Sequence, residues 1–292
     1  MQNLSHIEIS EICLKLGKTY PKSIKRVYGG NIHDSWQIKF EHNKFFLKRN
    51  TRKQKLLKFE EYCLRHLRRN INEKNLIIPE VISYVEVNDI ELLLMEWLDM
   101  ETSDQNKLGK GLSEMHLISN ESNPKKFGYP VEGYIGTNKQ KKGWEENWID
   151  CFLNLRIEPQ LSILEKKYLD LKTKYKIHEK IKLELINHNP MNALIHGDLW
   201  SGNIGNDQYG KGIIFDPACW WADSEVDIAM THLFGGFSRE FYEEYHKIIP
   251  LKKGYEKRLI IYNFYHILNH ANMFGGSYYN QVQDYIKTIM IM

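Results

Sequence analysis

The segment 195–216 constrains this chain more than any other stretch. A short apolar run leads into a His-Gly-Asp triplet that ends at Asp198, and Asn203 follows five residues later. A second apolar run, Gly212–Phe215, then leads into Asp216. Asn, Asp and Gly all favour turns, so the plain interpretation is a polar turn between two strands. The complete pattern, with an apolar run ahead of each aspartate, instead favours a catalytic loop.

The residue types at these positions suit the transfer of a phosphoryl group to a hydroxyl. Such a reaction needs a carboxylate that orients the hydroxyl and accepts its proton, a role for Asp198. It also needs oxygen ligands for Mg²⁺, which Asn203 and Asp216 supply. The order His-x-Asp-x-x-x-x-Asn followed by a further aspartate is the layout of a kinase catalytic loop. The sequence therefore predicts a catalytic aspartate at 198 and a metal site at 203 and 216.

Composition excludes several other classes of protein. Of the 292 residues, 42% are hydrophobic and 26% are charged, as in an ordinary globular protein. The net charge of +3 is too small to argue for a nucleic-acid partner, although Lys and Arg cluster at 48–55 and 139–142. Apolar stretches such as 90–98 are interrupted by acidic residues, so we expect no membrane span. The four cysteines are far apart and the start lacks a signal-peptide pattern, which together predict a cytoplasmic protein with reduced thiols.

The N-terminal third alternates between helix and strand patterns. A helix pattern covers 4–16, and strand patterns cover 24–28, 35–40 and 44–49. Gly29 and Gly30 lie between the first two strands, where a glycine pair lets backbone N–H groups approach phosphates, although most such pairs are plain turns. Lys48 ends an aromatic-aliphatic strand and is the candidate phosphate-binding lysine; an exposed edge lysine is the alternative.

A helix predicted over 54–69 carries a possible partner for Lys48. Glu60 lies on the turn next to the inward-facing leucines, and could reach back to the lysine. Glu61 is one step round the helix and competes for the same role. An exposed pair along the helix is the alternative for either glutamate.

A hairpin predicted over Val81–Val87 and Ile90–Glu96 ends the strand-rich part of the chain. Its second strand runs through Met95 and Glu96 into Trp97, where backbone groups could bind an adenine ring. Helical patterns dominate afterwards. We therefore expect a lobe boundary after residue 98, with lobes of 1–98 and 99–292.

The C-terminal part reads as helices around the catalytic segment. Helices are predicted over 104–116, over 144–174 as one long helix or two with a kink or restart at Pro159, and over about 178–188, whereas 119–143 is predicted as a loop. Ser224 and Asp227 fit a capping box at the start of a helix over 226–234. The Asp227 carboxylate could equally hydrogen-bond the backbone of the catalytic loop. His266 and His270 have a spacing that can bind zinc, but helix-packing histidines are commoner.

Several of these stretches resemble the fructosamine kinase (ketosamine-3-kinase) family, within the wider group of aminoglycoside phosphotransferases and choline kinases. The resemblance is carried by His196–Asn203 (HGDLWSGN), Asp216–Ala218 (DPA), Asp223–Phe237 (DSEVDIAMTHLFGGF), Tyr134–Thr137 (YIGT) with Trp144 and Trp148, and Tyr255–Gly275. Thinner support comes from the glycine pair, Lys48 and Met95-Glu96. The tryptophan after Asp-Leu makes the first stretch specific, since His-Gly-Asp alone would indicate only the wider group.

The resemblance implies an α+β, two-lobed protein-kinase-like fold. Its small N-lobe would hold an antiparallel β-sheet with one regulatory-type helix, and its larger C-lobe would be mainly α-helical. ATP and Mg²⁺ would bind between the lobes. The reaction implied is the ATP-dependent phosphorylation of a sugar hydroxyl, typically the 3-OH, of a small-molecule ketosamine such as a fructosamine, ribulosamine or erythrulosamine.

The resemblance also implies a role for each candidate residue. Asp198 would be the proton acceptor, Asn203 and Asp216 the metal ligands, Lys48 the phosphate clamp with Glu60 as its partner, Gly29 and Gly30 the phosphate loop, and Met95, Glu96 and Trp97 the adenine strand. Trp200 is expected to form a flat wall for the sugar, whereas Trp220 and Trp221 fit better in the core of the lobe. The stretch Cys219-Trp220-Trp221 departs from the tyrosine-containing stretch usual in the family, which leaves the preferred sugar open.

Two alternatives stand beside this interpretation. An aminoglycoside- or choline-type phosphotransferase would share the catalytic loop, but a polycationic acceptor calls for a strongly acidic C-terminal lobe, and lysines offset the acids there. A pseudokinase that binds a nucleotide without turnover would be signalled by loss of Asp198, Asn203 or Asp216. All three are present.

Overall fold

The strand patterns near the N-terminus form one five-stranded antiparallel sheet, in the order β1-β2-β3-β6-β5. The computed structural model describes residues 3–29, 32–101 and 103–292, without the side chains of 165–168. The first six strands are β1 (Ser23–Val27), β2 (Asp34–Lys39), β3 (Lys44–Asn50), β4 (Leu76–Ile77), β5 (Val81–Val87) and β6 (Ile90–Glu96), of which β4 lies in another sheet. The hairpin expected around Asn88 and Asp89 is confirmed: both residues have positive φ, 49° and 64°, as a two-residue turn matched to the strand twist requires.

Two helices pack against this sheet. The helix α1 (His6–Leu16) begins with a capping box between Ser5 and Glu8 and ends at Gly17, which adopts the left-handed conformation. Its apolar side joins the cluster of Trp36 and neighbouring strand residues. The helix α2 (Leu56–Arg68) buries Leu57, Leu64 and Leu67 in a second and larger cluster that continues into the rest of the protein. The sheet therefore has apolar packing from both helices, and α2 links it to the helical part.

Helices dominate after β6. They are α3 (Asn106–Glu121), α4 (Trp148–Cys151), α5 (Glu158–Tyr168), α6 (Leu171–Leu185), α7 (Glu225–Leu233), α8 (Arg239–Ile248), α9 (Tyr255–Phe274) and α10 (Ser277–Ile291). The remaining strands are β7 (Phe127–Tyr129), β8 (Gly133–Ile135), β9 (Asn138–Gln140), β10 (Gly143–Glu145), β11 (Asn192–Ile195), β12 (Ile204–Asn206), β13 (Gly212–Ile214) and β14 (Trp220–Asp223). Most of α9 is buried, and it packs against α5, α6, α7 and α10. Among the described helices, none combines the length and apolar character needed to cross a bilayer.

The prediction of a loop over 119–143 is wrong in detail. The helix α3 extends to Glu121, and four short strands follow. Strands β7 and β10 extend the sheet formed by β14 and β11, and β8 pairs with β9 as a separate hairpin. Each of these strands is three residues long, too short for an alternating pattern to be recognised.

The helix predicted over 144–174 starts later and breaks twice. A π-helical segment, Phe152–Ile157, joins α4 to α5, and Pro159 lies in the first turn of α5. Proline has no N–H, so it cannot donate to the carbonyl of Leu155 as a regular helix requires. The guanidinium of Arg156 donates to that carbonyl instead, at 2.9 Å. The second break, at 169–170, precedes α6, a single helix that replaces the one predicted over 178–188.

Candidate active site

The catalytic-loop segment follows β11 and is held by hydrogen bonds on both sides of His196. The buried imidazole contacts the carbonyl of Phe215 through Nε2 at 2.9 Å, and its Nδ1 accepts from the N–H of Asp198 at 3.3 Å. Burial lowers the pKa of His196, so the ring is neutral, and its partners place the proton on Nε2. Gly197 has φ +82°, and a Cβ there would lie 2.2 Å from the carbonyl oxygen of Ala218. Only glycine fits this turn.

Asp227 decides between the two interpretations left open by the sequence. Ser224 makes no side-chain cap to α7, so the capping box is wrong. The buried Asp227 carboxylate accepts instead from the backbone N–H groups of His196 at 2.7 Å and Gly197 at 2.8 Å. Its Oδ2 also contacts Nε2 of His116 at 3.2 Å. Burial alone would raise the pKa of Asp227, but these partners hold it below the usual range, so the carboxylate is ionised.

Asp198 lies at the end of this held backbone. Nδ2 of Asn203 donates to the backbone carbonyl of Asp198 at 2.9 Å and contacts its Oδ2 at 3.4 Å. Burial, together with the negative charge of Asp216, raises the pKa of Asp198 to about 7. A carboxyl group with this pKa can take up a proton close to neutral pH.

Asp216 follows β13 and lies beside the catalytic loop. The N–H of Phe215 donates to the carbonyl of Asn203 at 3.1 Å, which joins the two segments. Asp216 itself has φ +58°, a left-handed conformation that is uncommon outside glycine. Such a conformation is retained when the surrounding structure fixes it, and it is often found at functional sites.

Lys48 of β3 connects the sheet to this centre. Its Nζ lies 2.7 Å from Oε1 of Glu60 on α2 and also forms an ion pair with Asp216. Burial opposes the charge of Lys48, but Asp216 and Glu60 more than offset it and raise its pKa. Glu61, the competing candidate, instead pairs with Lys58 and Arg65 along the same helix. The structure thus brings Lys48, Glu60, Asp198, Asn203 and Asp216 together.

His33 is a neighbour of this centre that sequence reasoning did not single out. Burial and the positive charge of Lys48 lower its pKa to about 3, with Asp216 acting in the opposite sense. Its Nδ1 is buried and has no hydrogen-bond partner among the described residues. The only signal available in the sequence was its position next to the glycine pair.

The other predicted nucleotide-binding residues that the structure describes lie after β1 and at the end of β6. Gly29 is exposed after β1 with φ +136°, whereas Gly30 lies outside the described residues. Met95 is a buried residue of β6, and the N–H of Glu96 donates to the carbonyl of Glu80 at 3.0 Å. Trp97 leaves the sheet and packs on Phe46, with ring centroids 6.2 Å apart.

The three tryptophans differ in their exposure, with Trp220 and Trp221 in the core as expected. Trp220 and Trp221 are 0% and 6% exposed in β14, whereas Trp200 is 38% exposed. The indole of Trp200 lies across Gly202, where a Cβ would come within 2.2 Å of the ring. Its edge-on neighbour is Phe234, at a centroid distance of 6.3 Å. An accessible aromatic face therefore stands next to the catalytic loop.

The donors at this centre fit a hard divalent cation. Since Nδ2 of Asn203 is engaged by Asp198, the amide oxygen Oδ1 is the atom left for a ligand role. Asp216 adds carboxylate oxygens, and an all-oxygen set is what Mg²⁺ prefers. The residues present therefore fit the ion that the catalytic-loop pattern implies.

Two other arrangements of metal-ligand type are engaged otherwise. Nδ1 of His270 contacts the carbonyl of His266 at 2.8 Å, which is a helix-packing contact. His188, Asp223 and Glu225 form the one further close group of metal-ligand side chains among the described residues. Two nitrogens of Arg258 donate to Glu225 at 2.6 and 2.8 Å. The Arg258 guanidinium therefore occupies the carboxylate oxygens of Glu225 that a metal ion would need.

Comparison with known proteins identifies the family. The sequence model for fructosamine kinase matches residues 6–292. A probable ketoamine kinase of Vibrio parahaemolyticus is 38% identical over 270 residues, covering 91% of each chain. The ketosamine-3-kinase of Mus musculus is 32% identical, covering 90% of this chain and 94% of the relative.

Solved structures agree with this assignment. A putative fructosamine-3-kinase of Haemophilus somnus covers 97% of this chain and 96% of its own, with 27% identity and a TM-score of 0.84. An aminoglycoside phosphotransferase solved with AMP-PNP and hygromycin B covers 98% of both chains, with 14% identity and a TM-score of 0.63. The predicted α+β, two-lobed protein-kinase-like fold is confirmed. With a family match over nearly its whole length, the chain belongs to the fructosamine kinase family.

Proposed function

We propose that this protein transfers the γ-phosphoryl group of ATP to a sugar hydroxyl of a ketosamine, the 3-hydroxyl. The observation that carries the proposal is the position of Asp198. It ends a loop fixed by Asp227 and lies in the same centre as the Lys48–Glu60–Asp216 ion pairs. The names of the relatives, ketoamine kinase and ketosamine-3-kinase, support the acceptor class.

Asp198 is the base of the proposed reaction. The acceptor oxygen bonds to the γ-phosphorus while the bond from that phosphorus to the β–γ bridging oxygen breaks, and ADP leaves. The hydroxyl proton passes to Asp198, whose pKa of about 7 suits its uptake. Neutral His196 and ionised Asp227 keep the loop backbone in place without taking part in the transfer.

The nucleotide binds on the sheet side in this proposal. Lys48 holds the phosphates and Glu60 holds Lys48, with Gly29 and Gly30 in the loop above them. The segment Met95–Trp97, at the end of β6, borders the adenine. The structural relative that holds AMP-PNP has the same fold, which supports ATP as the donor. We keep 1–98 and 99–292 as the two lobes on either side of the nucleotide.

Asn203 and Asp216 would hold Mg²⁺, which supplies a Lewis acid that neutralises negative charge on phosphate oxygens. Trp200 offers its exposed face as a wall for the sugar. The four cysteines are free and buried, which fits our proposal that the enzyme works in the reducing cytoplasm.

Turnover of ATP against a panel of acceptors tests the proposal. We expect phosphorylation of a ribulosamine or fructosamine at the sugar 3-hydroxyl, located by phosphorus NMR, and no turnover of kanamycin or choline. Asp198→Asn should lower kcat about a hundredfold or more while nucleotide affinity is retained. Asp284→Asn, on the exposed side of α10, is the matched control. Turnover of an aminoglycoside and of no ketosamine would overturn the acceptor assignment.

A further inference from the structure

An open recess of about 610 Å³ lies outside the catalytic centre described above. It is formed between the segment that connects β3 to α2 and the β8–β9 hairpin. Its lining residues are Thr51, Arg52, Lys53, Gln54, Tyr134 and Lys139. We call it the basic recess, because three of its six lining side chains are cationic.

Most of this positive charge has no carboxylate partner. Lys139 pairs with Glu132 at 2.8 Å, and both side chains are exposed. Among the residues that the structure describes, no ion pair engages Arg52 or Lys53, and both residues are exposed. Uncompensated cations grouped around a concavity attract an anionic ligand, and Arg presents a planar fork that matches a carboxylate.

The basic recess lies close to the segment that carries Ile32 and His33. The positive charge of Arg52 acts on His33, which is itself under the charges of Lys48 and Asp216. On the other side, the turn of the β8–β9 hairpin approaches the loop after β1: a Cβ at Gly136 would be 3.6 Å from Cδ1 of Ile32. The recess therefore adjoins the reacting centre.

The hairpin that forms the far wall is anchored firmly. Nδ2 of Asn138 donates to Oδ1 of Asn269 on α9 at 2.8 Å, and Nε2 of Gln140 donates to the hydroxyl of Tyr265 at 3.0 Å. Tyr134 also packs edge-on against Phe59 of α2, with centroids 6.2 Å apart. The walls of the basic recess are thus set by both lobes of the fold.

We propose that the basic recess binds a carboxylate on the amine half of the acceptor, so that glycated amino acids and acidic glycated peptides are favoured substrates. The inference rests on the proposed function, because it requires a ketosamine acceptor. Such an acceptor has a sugar half, which is phosphorylated, and an amine half, which is not. Its sugar half must enter the cleft to reach Asp198, which leaves the amine half to extend toward the rim. An amine half that carries an anion meets Arg52 and Lys53 there, and a neutral amine half gains nothing from them.

Matched acceptors with the same sugar test this inference. The ribulose adducts of 6-aminohexanoate and of 6-aminohexanamide differ by one charge and hardly in shape. We expect the carboxylate adduct to have a KM lower by roughly three- to tenfold with similar kcat, since partly exposed charge contacts are screened by water. The preference should shrink as salt is added.

Variants of the recess locate the effect. Arg52→Gln and Lys53→Gln should each raise KM for the carboxylate adduct and leave the amide adduct unchanged, and KM for ATP should not move. Lys172→Gln removes an equal charge from the exposed side of α6 and should change none of these values.

The outcomes separate the two proposals. Equal KM for both adducts in the wild-type protein, or a preference that survives Arg52→Gln, overturns the carboxylate site and keeps the proposed function. A lower KM for the adduct of 6-aminohexyl phosphate than for the carboxylate adduct overturns it in favour of a phosphate site. Turnover of no ketosamine overturns the proposed function and the site with it.

Discussion

Each lobe holds one catalytic element through a fully buried carboxylate that accepts two consecutive backbone N–H groups. In the helical lobe, Asp227 accepts from His196 and Gly197 at 2.7 and 2.8 Å. In the sheet lobe, Glu91 of β6 accepts from Leu57 and Lys58 at 3.3 and 2.9 Å. Both carboxylates belong to residues with 0% exposure. The same physical device therefore operates on both sides of the cleft.

The two carboxylates differ in what they hold. Asp227 fixes the catalytic loop itself, one residue before Asp198. Glu91 fixes the first turn of α2, where the N-cap Lys55 makes no side-chain hydrogen bond, so it satisfies N–H groups that a helix start leaves free. Its influence reaches Lys48 through α2, which carries Glu60, and through Asn50 of β3, whose Nδ2 donates to Oε2 of Glu91 at 2.6 Å. The comparison implies that a substitution at Asp227 slows the chemical step, whereas a substitution at Glu91 weakens the binding of the nucleotide.

The largest effect is expected at Lys48, the residue of the sheet that contacts Asp216 in the catalytic centre. Lys48→Met should lower kcat/KM roughly a hundred- to a thousandfold, because a preorganised positive charge is lost. Adding Glu60→Ala should cost little more, since a residue that acts through Lys48 has nothing left to hold. Steady-state kinetics of the two single variants and the double variant measure the coupling.

Glu61→Ala is the control for that cycle, because Glu61 pairs with Lys58 and Arg65 on the surface of the same helix. It should be near wild type. Strictly additive losses at Lys48 and Glu60 would show that Glu60 acts independently of the lysine.

Asp227→Asn should follow, with kcat reduced about a hundredfold. The amide keeps one acceptor oxygen but turns an NH₂ group toward a backbone donor, which displaces the loop, and displacements of about 1 Å can cost this much. KM for ATP should change little. If KM rises while kcat is retained, the division between the two carboxylates is wrong.

Glu91→Gln should have a smaller effect of a different kind. We expect KM for ATP to rise roughly tenfold with a lesser change in kcat, because α2 shifts and Glu60 no longer aligns Lys48. The variant should add little to Lys48→Met in a double-variant cycle. Full additivity there would mean that Glu91 matters only for folding.

Tyr84→Phe is the mildest test. The Tyr84 hydroxyl donates to Oε1 of Glu91 at 2.8 Å, and its removal leaves both backbone contacts in place. We expect a loss of about 1 kcal/mol in the free energy of unfolding by urea, with nearly unchanged kinetics. A KM defect as large as that of Glu91→Gln would shift the positioning role from the backbone contacts to this hydroxyl.

The centre was more predictable from the sequence than its supports. Asp198, Asn203 and Asp216 follow apolar strands at fixed short spacings, and Lys48 lies in an aromatic-aliphatic strand, so local patterns place them. In the sequence, Glu91 only interrupts an apolar run. Its role in binding the N–H groups of α2 could not be predicted, because that helix contacts Glu91 only in the folded state. Asp227 was ambiguous for the same reason: its spacing from Ser224 fits a local cap, and only tertiary packing selects the catalytic loop.

The hydrogen bond from Arg156 to the carbonyl of Leu155 restricts the order in which Arg156 and Pro159 can be substituted. Arg156 is 1% exposed, stacks on Trp220 at 3.9 Å and supplies the donor that Pro159 cannot. Replacing the arginine first removes the donor that this carbonyl has in place of the N–H of residue 159, which costs about 1–3 kcal/mol. Replacing Pro159 with alanine first restores a backbone donor and allows the helix to become regular. We therefore expect sequence drift at these two positions to be coupled, with loss of the proline preceding loss of the arginine.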